Sequence, residues 1–298
     1  MIHRRARCAA STTPVVGALL LLGCAQPPAP SVHGARGEAF GTTWSVQWMG
    51  SEASEPAVGE AVRAVLARVD ERMSTWRDDS ELAAVRRGPG PVRVSPETAS
   101  VVEAALHLAR ETDGAFDPTV QPLMELWGLH GEPRTELPTV DEIAAVMTRV
   151  GHHRVQLASD SRGWTVDAGG AALDLSAIAK GHGVDAVSQH LSGLGLIEHY
   201  VEIGGEVRAH GRGPAGGAWR VGIDVPEEGS VPGRRFAAVV GLVNGALATS
   251  GNYRNVYEVD GQRVVHTMDP REGRPAVSDA ASVSVVAPDC RTADGWAT

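Results

Sequence analysis

Near Arg154 the apolar periodicity of this chain changes from helical to extended, and that change excludes most fold classes. Before it, Val58, Val62, Val65, Leu66, Val69 and Met73 recur at helical spacing. A second helix opens at Ser95-Pro96-Glu97, with serine as cap and proline in the first turn, and buries Val101, Val102, Ala105 and Leu108. Thr139 and Glu142 form a capping box for a third helix running to Val150. An irregular, Pro- and Gly-rich stretch, 114–138, separates these last two. Ahead of all three, residues 40–48 alternate as a strand with Trp44, Val46 and Trp48 on one side. After Arg154 the pattern predicts short strands at 155–157, 164–166, 172–175, 200–203, 207–209, 219–225, 237–240, 256–259, 263–266 and 282–286. One helix, 177–194, interrupts them, with Ile178, Val184, Val187 and Leu191 inward. With no fixed-period repeat and no regular βαβ alternation, the expected class is α+β.

The first residues read differently. Arg4, Arg5 and Arg7 precede a short apolar run from Pro14 to Leu22, and Gly23-Cys24 follows. That is the layout of an export signal, and a cysteine directly after the small residue resembles a bacterial lipobox with Cys24 as the lipidated N-terminus. The expected division is a signal at 1–23, a Pro/Ala/Ser-rich tether at 24–37 and one folded domain at 38–298. It would sit in the cell envelope, on the periplasmic side, held to the membrane by lipid. No stretch after residue 24 approaches the ~18 apolar residues of a membrane span. Cys290 is then the one cysteine left without an assigned role and is expected to be a packed thiol. A formal charge of −9 argues against nucleic acid as partner. The chain stops at Thr298 inside what reads as the start of a helix, which points to a truncated C-terminus.

Of the 27 basic residues only Lys180 is a lysine. Where arginine so dominates, the surviving lysine marks a candidate position for a compact point charge that a guanidinium would overfill.

Several segments carry residues suited to chemistry. They are Phe40-Gly41-Thr42-Thr43-Trp44; Met73-Ser74-Thr75-Trp76 with Asp79-Ser80-Glu81-Leu82; and Gly114 to Val120, with Pro122-Leu123 and Trp127-Gly128. Asp174-Leu175-Ser176-Ala177-Ile178-Ala179-Lys180-Gly181 follows, then Ala248 to Tyr253, His266-Thr267-Met268-Asp269-Pro270, and Ala293-Asp294 with Thr298. Amides at a helix start plus Lys180 would make a seat for a pyrophosphate. Asp294 and Thr298, four apart, share one helix face. His266 can accept a proton from a hydroxyl, and Asp269 could orient it or help hold a metal. Phe40 and Trp76 could stack on a planar ring, although core packing suits Phe40 nearly as well. Trp48, Trp164 and Trp219 read as core, His152-His153 as a solvent-exposed loop pair, and Gly204-Gly205-Glu206 as a turn between strands.

Taken in order, these segments resemble the ApbE family of FAD:protein FMN transferases, over about residues 38–298. The resemblance implies mixed, largely antiparallel sheets with packed helices around a central FAD cleft. It also implies that Ala115, Phe116 and Asp117 line the flavin or adenine pocket, and that Asp174, Lys180, His266 and Thr267 contact FAD. By the same resemblance the Ala177 carbonyl, Asp294 and Thr298 ligate Mg²⁺, a cation that favours oxygen donors. The implied reaction moves FMN from FAD to a Thr or Ser hydroxyl of an acceptor, a membrane redox-complex subunit or exported flavoprotein, and releases AMP. The alternatives are a FAD pyrophosphatase releasing free FMN and AMP, or a non-catalytic flavin-binding lipoprotein. One departure stands out: the family usually has Arg-Thr-Gly after Asp-Pro, and this chain has Arg271-Glu272-Gly273.

Overall fold

The computed structural model describes residues 31–50, 53–227, 229–252 and 256–298; Cys24 and the segment 1–23, expected to be an export signal, lie outside them. The chain begins with a hairpin of β1 (Val32–Ala39) and β2 (Thr42–Met49). It continues through α1 (Glu55–Met73), α2 (Glu81–Arg87), β3 (Val92–Val94), α3 (Pro96–Glu111), α4 (Gln121–Leu126) and α5 (Val140–Met147). The pair β4 (Gln156–Asp160) and β5 (Gly163–Asp167) leads to α6 (Ser176–Gly193), β6 (His199–Ile203) and β7 (Glu206–His210). A ribbon of β8 (Trp219–Asp224) and β9 (Phe236–Leu242) precedes β10 (Gly245–Gly251) and the hairpin β11 (Val256–Val259) and β12 (Gln262–Val265). The chain closes with β13 (Met268–Asp269), β14 (Arg274–Pro275), β15 (Ser282–Ala287) and α7 (Cys290–Ala297).

The central element is a six-stranded sheet in the order β1-β2-β6-β7-β10-β15, antiparallel at every pairing. Strand side chains alternate between faces, and the two faces of this sheet have different partners. Trp44, Val46, Trp48, Val201, Ile203, Ala246 and Ala248 pack under α1, α6 and α7. Met49, Val207, Ala209 and Leu247 meet Trp219, Val221 and Leu242 of the β8–β9 ribbon. A second sheet, β3-β5-β4, shares a core with α2, α3 and the start of α6. Helices and antiparallel sheets are therefore segregated, which is the α+β arrangement.

The helices follow their sequence signals. Ser95 caps α3 by accepting from the Thr98 amide, and Thr139 with Glu142 makes the reciprocal capping box of α5. Two expectations need correction. Residues 32–37, read as tether, are strand, because β1 pairs with β2 along its whole length. Residues 172–175 join no ladder: Leu173 and Leu175 are fully buried, and the Asp174 amide is taken by the Pro118 carbonyl. Apolar residues bury just as well in such a pinned extended segment, so alternation alone misreads it as a strand.

The β1–β2 turn has positive φ at both central residues, Phe40 (54°) and Gly41 (70°). This backbone matches the twist of the flanking strands, at roughly 1–2 kcal/mol for a residue bearing a Cβ. The turn carries the Phe40 ring over Gly183 of α6, where an added Cβ would stand 2.9 Å from it.

Candidate active site

Where the first turns of α6 meet α7 and the ends of β7 and β10, a cavity of 340 Å³ opens. Its wall includes Ala115, Phe116, Asp117, Asp174, Ala177, Lys180, His266, Thr267, Asp294 and Thr298. Ten positions singled out from sequence, spread over more than half the chain, thus share one concavity. A second hollow of 200 Å³ shares Ser176 and Lys180 with it and is walled by Phe40 and Trp76. Trp76 is 74% exposed, and its ring is tilted against His130 at 5.2 Å between centroids. Both hollows together suit an elongated, partly aromatic ligand.

Lys180 is held from β7: its Nζ lies 2.7 Å from Glu206 Oε1. Glu206 is buried, and its other oxygen, Oε2, has no hydrogen-bond partner among the described residues. Burial pushes the Glu206 carboxyl above the ordinary carboxylate range, against the pull of Lys180. Burial works against the Lys180 charge as well, but Asp294 and Glu206 outweigh it and hold the ammonium above its usual value.

Asp294 comes from α7 and accepts from the Gly181 amide at 2.8 Å. In a helix the Ala177 carbonyl points toward that same amide, four residues on, so Ala177 and Asp294 are brought to one place. Thr298 stands one turn beyond Asp294, its hydroxyl 3.4 Å from the Asp294 carbonyl. Burial pushes the Asp294 carboxyl up to about 7; Lys180 and the Gly181 amide oppose this, while Glu206 and Asp185 reinforce it.

This corner suits a hard divalent cation. Its donors are oxygens, and among the described residues two buried carboxylates face a single ammonium. No group of three or more His, Cys, Asp or Glu side chains is placed to hold a metal among those residues. A cation here would depend on main-chain and hydroxyl oxygens besides Asp294.

Three expectations come out differently. The amides opening α6 are largely used: Ser176 N donates to Asp174 Oδ1 at 2.7 Å, and those of Ile178 and Ala179 go to the Leu175 carbonyl. Positive charge for a phosphate therefore falls to Lys180. Asp269 does not line the cavity. Its carboxylate receives the Arg271 guanidinium at 2.7 and 2.9 Å, which lowers its pKa, and it closes the 269–273 turn with the Arg271 amide. Main-chain amides of Glu272 and Gly273 also bond to the Asp269 carbonyl, so this turn does not depend on a threonine at 272. His152 is not simply solvated: its amide and Nδ1 both face Asp117 Oδ2, at 2.8 and 3.2 Å.

Thr267 donates its hydroxyl to Asn252 Oδ1 at 2.7 Å, which leaves its oxygen lone pairs available. Cys290 is a fully buried thiol pushed well up by burial, in keeping with a packing role. Two residues were not readable as site residues. His130, in the irregular stretch, lies 3.5 Å from Asp174, with its ring tilted against Trp76. Glu206 read as part of a turn, and nothing local in the sequence shows that it meets Lys180.

The cleft joins a lone lysine, a histidine and an oxygen-rich acidic corner, as expected of an enzyme acting on phosphate esters. The ApbE family model matches residues 40–298. The chain is 38% identical to a FAD:protein FMN transferase of Vibrio cholerae, over 94% of this chain and 83% of the relative. It is 37% identical to another of that name from Haemophilus influenzae, over 88% and 78%. Among solved structures it resembles the flavin transferase ApbE of Vibrio cholerae, with a TM-score of 0.78 at 36% identity and coverage of 90% and 85%. The apo flavinyl transferase ApbE of Pseudomonas stutzeri gives 0.79 at 32% identity, with coverage of 90% and 83%. The chain belongs to the ApbE family, and it is an enzyme.

Proposed function

We propose that this enzyme transfers the FMN half of FAD to a threonine or serine hydroxyl of an acceptor protein and releases AMP, with Mg²⁺ as its cation. The observation that carries this reading is the junction of α6 and α7. There Lys180, the Ala177 carbonyl, Asp294 and Thr298 converge, with His266 on the same cavity wall. The acceptor oxygen forms a bond to the phosphorus of the FMN phosphate. The bond from that phosphorus to the bridging oxygen breaks, AMP leaves, and the hydroxyl proton passes to His266. Ala177, Asp294 and Thr298 would hold Mg²⁺, which neutralises pyrophosphate charge when bound. Lys180, anchored by Glu206, adds a fixed positive charge beside the phosphates. Phe40 and Trp76 offer faces for one planar ring, and Ala115, Phe116 and Asp117 wall the other end. Lipidation at Cys24 would set the domain at the periplasmic face, facing acceptors in the membrane or exported to it.

The test is mass spectrometry of an acceptor domain incubated with the enzyme, FAD and Mg²⁺. The expected outcome is a gain of one FMN, abolished by EDTA and slowed about 10²–10⁴-fold by His266→Ala. Free FMN and AMP without an adduct would replace this reading with a hydrolase. Binding of FAD with neither product would reduce the protein to a flavin binder.

A further inference from the structure

We infer that Asp185 is the positioning residue that sets α7, and with it Asp294 and Thr298, against α6. This rests on the proposed Mg²⁺ site. α7 has only eight residues, and helices that short do not hold themselves in water. Its place must come from what grips it. The first amides of a helix have no partner within it. Here the Cys290 amide donates to Asp185 Oδ1 and the Arg291 amide to Asp185 Oδ2, both at 2.9 Å. The Thr292 amide goes to the Asp289 cap. Two carboxylates at this end also match the positive pole of the helix.

Asp185 is itself fixed. It lies on α6 one turn beyond Gly181, whose amide holds Asp294, so one face of α6 grips α7 at its start and again at its metal-site residue. Across the sheet, β7 presents Glu206 to Lys180 and Arg208 to Asp185. The same strand and helix thus hold the lysine and the α7 clamp in one register. Carboxylates that orient the ligands of a cation set its affinity without touching it.

Asp185→Asn keeps the size but turns one accepting oxygen into a donor that opposes a helix amide. The readout is FAD affinity by flavin fluorescence across a Mg²⁺ titration, alongside thermal unfolding without FAD or metal. The expected result is a roughly tenfold or greater rise in the Mg²⁺ concentration giving half the effect, in line with outer ligand-orienting groups, with FAD affinity in EDTA unchanged. Asp289→Ala, which removes the cap but leaves the α6 grip, should lower the melting temperature while shifting the Mg²⁺ midpoint less than threefold. Equal Mg²⁺ midpoints for wild type and Asp185→Asn would overturn the inference alone. So would equal midpoint shifts for the two variants, which would reduce Asp185 to ordinary helix support. A wild type whose FAD affinity ignores Mg²⁺ would overturn the metal site and this inference with it.

Discussion

Lys180 stands 2.7 Å from the buried Glu206, and the Asp294 charge acts on it as well. That leaves room for one compact cation head. Arginine keeps the charge but spreads it over a broad planar fork, which would have to displace either Glu206 or the phosphate that the proposed reaction places there. Lys180→Arg is therefore expected to lower kcat for FMN transfer about 10²–10³-fold, the loss typical of removing one preorganised charge-stabilising group, with the melting point nearly unchanged. Activity within threefold of wild type would make the single lysine an accident of composition. Its singularity was legible in the sequence, whereas its partner was not, because Glu206 comes from a strand whose register places it under α6. Asp269 shows the converse: a local motif suggested a role at the site, but Arg271, two residues away, claims its carboxylate.

The contact between α6 and α7 decides the geometry of the site. An added Cβ at Gly181 would stand 2.4 Å from the Cys290 carbonyl and 2.7 Å from Asp294 Cβ. Both are firm neighbours, so a side chain there must push the helices apart. Gly181→Ala is expected to destabilise by about 1–3 kcal/mol, as overpacking does, and to weaken Mg²⁺-dependent FAD binding at the same time. Chemical denaturation read beside the flavin titration separates the two effects; intact stability together with intact binding would refute the close-approach argument. Helix positions were largely readable, since caps and apolar spacing are local. The short helix α4 and the strand β10 were missed: α4 lies in a Pro-rich stretch, and the small residues of β10 owe their strand to ladders with β7 and β15.

Over the whole molecule, stability should depend on pH through buried neutral histidines. Nδ1 of His199 faces the Leu196 carbonyl at 2.6 Å, so it carries the proton, and Nε2 accepts from Ser188 at 2.7 Å. Burial lowers its pKa from 6.5 to about 4, and His182 is lowered likewise. Between these values the unfolded chain takes up the proton and the folded chain does not. The stabilisation is thus complete above pH 6.5 and is lost as pH falls toward 4. From pH 7 to 5 the loss tied to His199 is expected to be about 2 kcal/mol. Urea unfolding of wild type and His199→Gln at both pH values checks this; equal pH slopes would rule His199 out as a source.

By itself the sequence determined the α+β class, most helices and most strands, because these rest on local spacing and caps, which are written in one dimension. Ten of the residues on the cleft wall were named in advance, several of them only through the family resemblance. The tertiary structure alone decided which of those residues meet. It paired Lys180 with Glu206, tied Asp294 to the Gly181 amide and joined Asp185 to the start of α7. Each of these depends on strand register or on the approach of two helices, set by packing between segments far apart in the chain.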